Sequence, residues 1–393
     1  MKICDITQSF NESSGGIRTY IKEKQKFIQF HSDCEHVLIT AGDRDSYTRK
    51  SEMSVYTIQS PVIPGCAPYR LLWRMDKIYR VLEKEKPDII EFADPYFMAW
   101  SALRYRTHRR SRVLGFYHTD ISTAYPRLFA DKIGIKSLNP VMFNSARSYV
   151  RSLYNRCDAT ICASKIVSDR LEQLGVDNIH RISFGVDFQQ FSVPKYGNGI
   201  RGRLQILPEE VLFIYAGRFD SEKRVDVLTE AFSGIPDSYP AKLVLVGDGV
   251  LKPRLLAIAE RNPRIIILPF VDKKQELADL LSAANVYVTA GPFETFGLSV
   301  AEAQAAGLPV IGVNGGALPE RISPQNGMLA AVDDVADLRE KMVRMMMADR
   351  EQMGRFARLH AEKNYSWEST FGRLFELYES LLIPNNLSVK SAA

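Results

Sequence analysis

Short apolar runs rich in Ile, Val, Leu and aromatic residues recur along the chain, separated by stretches whose apolar positions repeat with helical period. In the first half, KICDIT (2–7), HVLIT (36–40), PDIIEF (87–92), RVLGFY (112–117), ATICA (159–163) and HRISF (180–184) read as strands. In the second half, EVLFIYA (210–216), KLVLVG (242–247), RIIIL (264–268), VYVTA (286–290) and PVIGV (309–313) do the same. Helices are expected between them, at 70–84, 141–155, 226–233, 250–261, 274–283 and 334–348. Such alternation predicts an α/β protein whose parallel sheets carry helices on both faces.

A single sheet holding all of these strands would be large. The segment 185–208 is poor in periodicity and rich in Gly and Pro, so it reads as a connection between two units. The expected organisation is a Rossmann-like domain over 1–190, a linker over 191–208 and a second Rossmann-like domain over 209–366. A C-terminal helix over 367–385, apolar on one face, would pack back on the first domain. Ligands of open α/β sheets sit beyond the carboxyl ends of the strands, so chemistry is expected in the loops that follow strands, facing a central cleft.

The length of 393 residues suits two such domains, and 46% hydrophobic with 25% charged residues is ordinary for a globular chain. Five scattered cysteines form no C-x-x-C pair, which suggests a reduced, intracellular protein. The opening MKICDITQSF reads as a strand rather than a signal peptide, and no stretch approaches the ~20 apolar residues of a spanning helix. The net charge of +5 is uneven: residues 1–190 hold 28 Lys and Arg against 21 Asp and Glu, the rest 23 against 25. A basic first half fits an anionic membrane surface, a nucleic acid, or simply a solvated face.

The candidate chemistry follows the strands. After 286–290 comes GPFETFGLSVAE, with Glu294 in a loop and Glu302 about two turns into the helix that Phe296 and Gly297 open. Free N–H groups of Phe296, Gly297 and Leu298 at that helix start suit a diphosphate, and the two carboxylates suit vicinal hydroxyls. Glu302 alone reads equally well as a solvated helix residue. After 210–216 comes GRFDSEKR, in which Arg218 and Lys223 offer cations to a diphosphate, or form an ordinary surface ion-pair set. Gly15-Gly16 after the first strand permits close backbone approach. His118, in FYHTD, can hydrogen-bond a sugar hydroxyl, and Asp120 can take a proton from an acceptor. The six histidines show no metal-ligand spacing, and there is no D-x-D, no G-x-S-x-G elbow, no P-loop and no G-x-G-x-x-G after the first strand.

Taken in order, the motifs GG-I-R-x-Y, H-T-D, C-A-S-K, F-G-V-D, A-G-R-F-D-S-E-K-R, L-V-G-D-G, E-T-F-G-L-S-V-A-E and G-L-P-V-I-G-V-N-G-G resemble the fourth family of retaining glycosyltransferases, which have the GT-B fold. The resemblance implies that Arg218 and Lys223 hold the donor diphosphate, Glu294 the donor sugar and Glu302 the ribose. It implies that Gly16 lets the first domain close on the phosphates, and that His118 touches the sugar near its reacting centre. The chain departs from the family in having Phe184 where Asn is usual before G-V-D, Pro269 where Gly is common, and Gly291-Pro292 before the first acid.

The activity so implied is metal-independent transfer of a hexosyl group, with retention, from a UDP- or GDP-sugar to an acceptor hydroxyl, with no cofactor. Basic clusters at 104–112 and 147–156 and the apolar turn 124–129, with Tyr125 and Arg127 as acceptor candidates, point to a lipid or lipid-linked glycan. The enzyme would then be cytoplasmic and peripheral on the inner face of the membrane, with no nucleic acid as partner. A soluble acceptor, or a GT-B epimerase acting on the nucleotide sugar alone, are the alternatives.

Overall fold

The structure, a computed structural model, describes residues 1–11, 15–31, 33–63, 69–107, 111–118, 139–192 and 199–383. Its strands form two separate sheets. The first contains β1 (Lys2–Thr7), β2 (Glu35–Gly42), β3 (Ser46–Lys50), β4 (Met53–Gln59), β5 (Ile89–Phe92), β6 (Arg112–Phe116), β7 (Ala159–Cys162) and β8 (Ile179–Arg181), in the order β3-β4-β2-β1-β5-β6-β7-β8. Every pairing is parallel except β3 with β4. The second contains β9 (Val211–Ala216), β10 (Ala241–Val246), β11 (Ile265–Leu268), β12 (Val286–Val288), β13 (Val310–Val313) and β14 (Gly327–Ala330), all parallel, in the order β11-β10-β9-β12-β13-β14.

The central strands are buried on both faces, as in β9, where every residue of VLFIYA is buried. This is why those strands read as unbroken apolar runs. The edge hairpin β3–β4 escaped that reading: SYTRK is exposed throughout, and MSVYTIQ is buried only at alternate positions. The expected helix at 70–84 begins instead at Met75, because Arg70 bridges back to Val62 and the Leu71 N–H donates to the Pro61 carbonyl, keeping this stretch extended.

The connection is not structureless. Ile200–Arg203 forms a short helix, and the Val186 N–H donates to the Tyr365 carbonyl at 2.9 Å, so the chain leaving the first sheet lies against the entry to the last helix. That helix, Trp367–Leu382, crosses back to the first sheet. Phe371 and Phe375 meet Phe27 at 5.4 and 5.2 Å between ring centroids. The Tyr378 hydroxyl donates to Glu91 at 2.6 Å and accepts from Lys24 at 3.1 Å. Lys24, fully buried, also donates to Asp5 at 2.8 Å and Glu91 at 3.0 Å, while His36 meets Asp5 at 2.7 Å. Buried charges of this kind persist only when paired and hydrogen-bonded. Here the network fastens the C-terminal helix to β1 and β5.

Candidate functional site

Each sheet has one place where strand order reverses. In the second it lies between β9 and β12, and loops from those two strands supply the predicted charged residues. After β9, residues 217–224 carry Arg218 and Lys223; after β12, residues 289–297 carry Glu294. The Lys223 ammonium donates to Glu294 Oε1 at 2.6 Å. Burial works to lower the pKa of Lys223, but Glu294 and Glu222 outweigh it and leave the group above its ordinary value. Arg218 forks to Asp220 and Glu222 and lies over the Tyr69 ring at 5.6 Å, so a residue of the first sheet's loops reaches the cation. Burial opposes the charge of Arg218, and Glu222 with Asp220 more than restores it.

The Glu294 loop is held from behind by Gly315-Gly316. Gly316 has φ +53°, and a Cβ there would come within 2.5 Å of the Glu294 carbonyl. That carbonyl instead accepts from the Ala317 N–H at 2.7 Å. Gly297 adopts φ +81° immediately before the helix Leu298–Ala305, which only glycine does without strain. The helix start with Phe296, Gly297 and Leu298 therefore sits beside Glu294, as an anion site would require.

Glu302 is not a solvated helix residue: it is 9% exposed. Burial pushes its carboxyl up to about 7, with Lys274 opposing and Glu23 adding to the shift. Glu23 belongs to the helix Gly16–His31 of the first sheet and accepts from Lys274 at 2.6 Å, so Glu302 lies where the two halves meet. Gly16 opens that same helix; a Cβ on it would meet only Phe184, at an ordinary 3.9 Å.

His118 follows β6 and joins the site across the cleft: its carbonyl accepts from Thr295 Oγ1 at 2.6 Å. The imidazole stacks on Phe116, with centroids 3.9 Å apart and planes 20° apart. The residue keeps some surface, yet its Nε2 is sealed and has no hydrogen-bond partner among the described residues. Burial pushes the ring's pKa down to about 3, with Lys24 adding and Asp5 opposing, so the imidazole is neutral near pH 7. Asp120, Tyr125 and Arg127 lie outside the described residues.

One residue not named as a site candidate, Glu320, also bridges the halves, and its neighbour Arg321 packs against the donor loop. The Glu320 carboxylate accepts from the backbone N–H groups of Lys165, at 3.0 Å, and Ile166, at 2.6 Å, and so caps the helix Lys165–Gln173 from the opposite domain. Arg321, 3% exposed, lies over the Phe296 ring at 3.9 Å. A buried arginine has no sequence signal of its own.

Three arginines of the basic clusters, Arg106, Arg112 and Arg156, have partners within the first half. Arg106 and Arg112 both bind Asp158, and Arg156 donates to the Ser152 carbonyl while lying over Trp100 at 5.5 Å. Trp73, 50% exposed, stands in the connection after β4, with Arg74 over its ring, and Phe97, 44% exposed, opens the helix Phe97–Arg106 that follows β5. Among the described residues, no helix is long and apolar enough to cross a membrane, and no cluster of His, Cys, Asp and Glu is arranged to hold a metal.

Comparison with known proteins agrees with this architecture. The family model described as Glycosyltransferase Family 4 matches residues 14–190, and that described as Glycosyl transferases group 1 matches residues 210–348. A GDP-mannose-dependent alpha-mannosyltransferase of Mycobacterium tuberculosis is 27% identical over 97% of both chains. A GDP-mannose-dependent alpha-(1-6)-phosphatidylinositol dimannoside mannosyltransferase of the same species is 24% identical over 94% of this chain and 93% of its own. Among solved structures, sucrose-phosphate synthase from Thermosynechococcus elongatus superposes with a TM-score of 0.80 at 21% identity, covering 97% of this chain and 99% of its own. HepE of Anabaena, in complex with UDP and glucose, gives 0.74 at 17% identity, covering 97% and 100%. With one model over each sheet, and both sheets facing the cleft that holds Lys223, Glu294 and His118, the chain belongs to the group 1, family 4 glycosyltransferases and has their GT-B fold.

Proposed function

We propose that this glycosyltransferase moves a mannosyl group from GDP-mannose to a hydroxyl of a lipid or lipid-linked glycan, retaining the α configuration and needing no metal. The observation that carries the reading is the Lys223–Glu294 pair at the reversal point of the second sheet. A cation and a carboxylate in contact there match adjacent parts of one ligand: a diphosphate and the hydroxyls of the sugar it carries. Arg218 and Lys223 neutralise the diphosphate, Glu294 grips the sugar, and the N–H groups from Phe296 to Leu298 take phosphate oxygens. Glu302 accepts from the ribose, Gly16 lets the first half approach, and neutral His118 faces the sugar.

In the reaction, the bond from the anomeric carbon to the diphosphate oxygen breaks and a bond to the acceptor oxygen forms on the same face. The acceptor proton passes to the departing phosphate oxygen. Fixed cations suit this step because charge accumulates on that oxygen as the bond breaks. GDP-mannose is chosen over a UDP-sugar because both mycobacterial relatives named above are called GDP-mannose-dependent. The lipid acceptor is supported by the phosphatidylinositol dimannoside in one of those names, and by the exposed aromatic side chains of Trp73 and Phe97 in the first half.

The test offers GDP-[14C]mannose or UDP-[14C]glucose with phosphatidylinositol-containing vesicles, with and without EDTA. Label should enter the organic phase from GDP-mannose alone, EDTA should not abolish it, and the new linkage should be α by NMR. Label from UDP-glucose only would overturn the donor, and label confined to water-soluble product would favour a soluble acceptor instead.

A further inference from the structure

Phe184 occupies the position where the family usually has asparagine, and it is 5% exposed at the join of the two halves. His118 lies nearly parallel to it, with centroids 5.6 Å apart and planes 28° apart. Phe296, from the donor loop of the other half, meets it edge-on at 5.1 Å. Tyr20 packs on both Phe184 and His118, at 5.4 and 5.6 Å. The backbone beside Phe184 has little freedom: a Cβ on Gly185 would come within 2.2 Å of the Trp367 backbone nitrogen, and the Val186 N–H is tied to Tyr365.

His118 and His36 contrast in how their rings are held. His36 meets Asp5 through Nε2 at 2.7 Å and Gln25 through Nδ1 at 3.3 Å. His118 Nε2 has no such partner among the described residues. Its plane is set instead by the rings around it: Phe116 below, Phe184 nearly parallel, Tyr20 edge-on. With no hydrogen bond at Nε2 among the described residues, stacking orients the ring.

We infer that Phe184 is a positioning residue, which holds the His118 imidazole in the plane needed to meet the donor sugar and locks that plane to the Phe296 loop. The inference rests on the reading that His118 faces the sugar. An asparagine at this position would offer His118 a hydrogen bond; a phenyl ring offers a dry stacking surface, so stacking rather than a hydrogen bond sets the orientation of the part of the imidazole that keeps some surface. The charged and titratable groups facing this box are Lys24 and Asp5 behind Tyr20, Glu91 bonded to the Tyr20 hydroxyl, and Arg321 over Phe296. None makes a hydrogen bond to Nε2.

Phe184→Leu keeps the site apolar but removes the ring. Transfer kcat should fall on the order of 10- to 100-fold, as for a misplaced reacting group, with the donor KM changed less than about twofold and a larger share of donor lost to hydrolysis. Phe375→Leu is the control, because it removes a buried ring that meets Phe27 and Tyr378 away from the site. It should lower the unfolding temperature and leave the kcat-to-KM split and the hydrolysis share alone.

A second readout needs no turnover. In histidine-labelled protein, the imidazole signal that disappears in His118→Gln should stay neutral down to about pH 5, and in Phe184→Leu should titrate nearer the ordinary value of about 6.5 as water enters. Identical titration in the two proteins, or Phe184→Leu kinetics that match Phe375→Leu, overturns the inference. A protein that shows the Phe184-dependent titration but consumes no GDP-mannose supports the positioning role and overturns the donor assigned above.

Discussion

The Lys223 ammonium and the Glu294 carboxylate, 71 positions apart, meet at 2.6 Å because β9 and β12 are neighbours in the second sheet. On the function proposed above, donor binding would exchange partners, the diphosphate taking Lys223 and the sugar hydroxyls Glu294. Lys223→Ala should therefore lower kcat on the order of 10²–10³. Because each group satisfies the other, the double variant Lys223→Ala/Glu294→Ala should unfold no earlier than Lys223→Ala alone. Initial rates and thermal unfolding of the parent, the two single variants and the double variant check both statements; additive losses would mean that the pair is not coupled.

On the proposed role of Glu302, donor affinity should depend on pH. Its folded pKa of about 7 lies above the ordinary 4.5, so the native state favours its protonated form. Its contribution to stability is full below about 4.5 and is lost as pH rises through 7. In that role the ionised carboxylate, accepting through both oxygens, is the stronger partner for ribose hydroxyls, so GDP should bind up to about tenfold tighter at pH 8 than at pH 6. Calorimetric titration at the two values measures this, and Glu302→Gln should flatten the dependence. A dependence that survives in Glu302→Gln must come from another group.

Glu320 acts as a clasp. It completes the N-terminal cap of Lys165–Gln173 from across the cleft, beside Ser164, whose side chain accepts from the Val167 N–H. Glu320→Ala should cost about 0.5–2 kcal/mol of closure, the usual range for a lost cap. Small-angle scattering should then show a larger radius of gyration, and more donor should hydrolyse as water enters the site. Unchanged scattering with unchanged hydrolysis would show that the cap does not govern closure.

Tyr378 tethers the last helix. Tyr378→Phe leaves Glu91 and Lys24 each short of one buried hydrogen bond and should lower stability by about 1–3 kcal/mol in urea unfolding. Lys24→Met should cost more, about 3–5 kcal/mol, because Asp5 and Glu91 lose their shared cation. Burial alone would raise the Asp5 carboxyl, but Lys24 and His36 pull it down to about 2. The stability it supplies is present above the ordinary carboxylate range and is lost as pH falls towards 2. A Lys24→Met protein no less stable than Tyr378→Phe would contradict this account of the network.

Some elements carried signals that strand periodicity does not report. The helix Arg350–Asn364 starts at Asp349 with Gln352 three residues on, a capping pattern realised by the Gln352 N–H donating to Asp349 at 2.9 Å. Ser164 announces Lys165–Gln173 in the same way. The helix Phe97–Arg106 carries no amphipathic period, because Met98, Ala99, Ala102 and Leu103 are buried and two of its outward positions, Phe97 and Trp100, are aromatic too.

By itself, the sequence determined the alternation of strands and helices, the loops that bear Arg218, Lys223, Glu294 and His118, and the glycines that let those loops turn. These are local matters: burial on both faces imposes an apolar run, and a backbone with positive φ imposes glycine. Only the tertiary structure decided that Lys223 meets Glu294, that Glu320 caps a helix of the other half, that Phe184 lies between His118 and Phe296, and that Lys24 is buried among Asp5, Glu91 and Tyr378. Each joins residues far apart in the chain, and the partner of a charge or a ring is set by strand order and domain closure, which leave no trace in local periodicity.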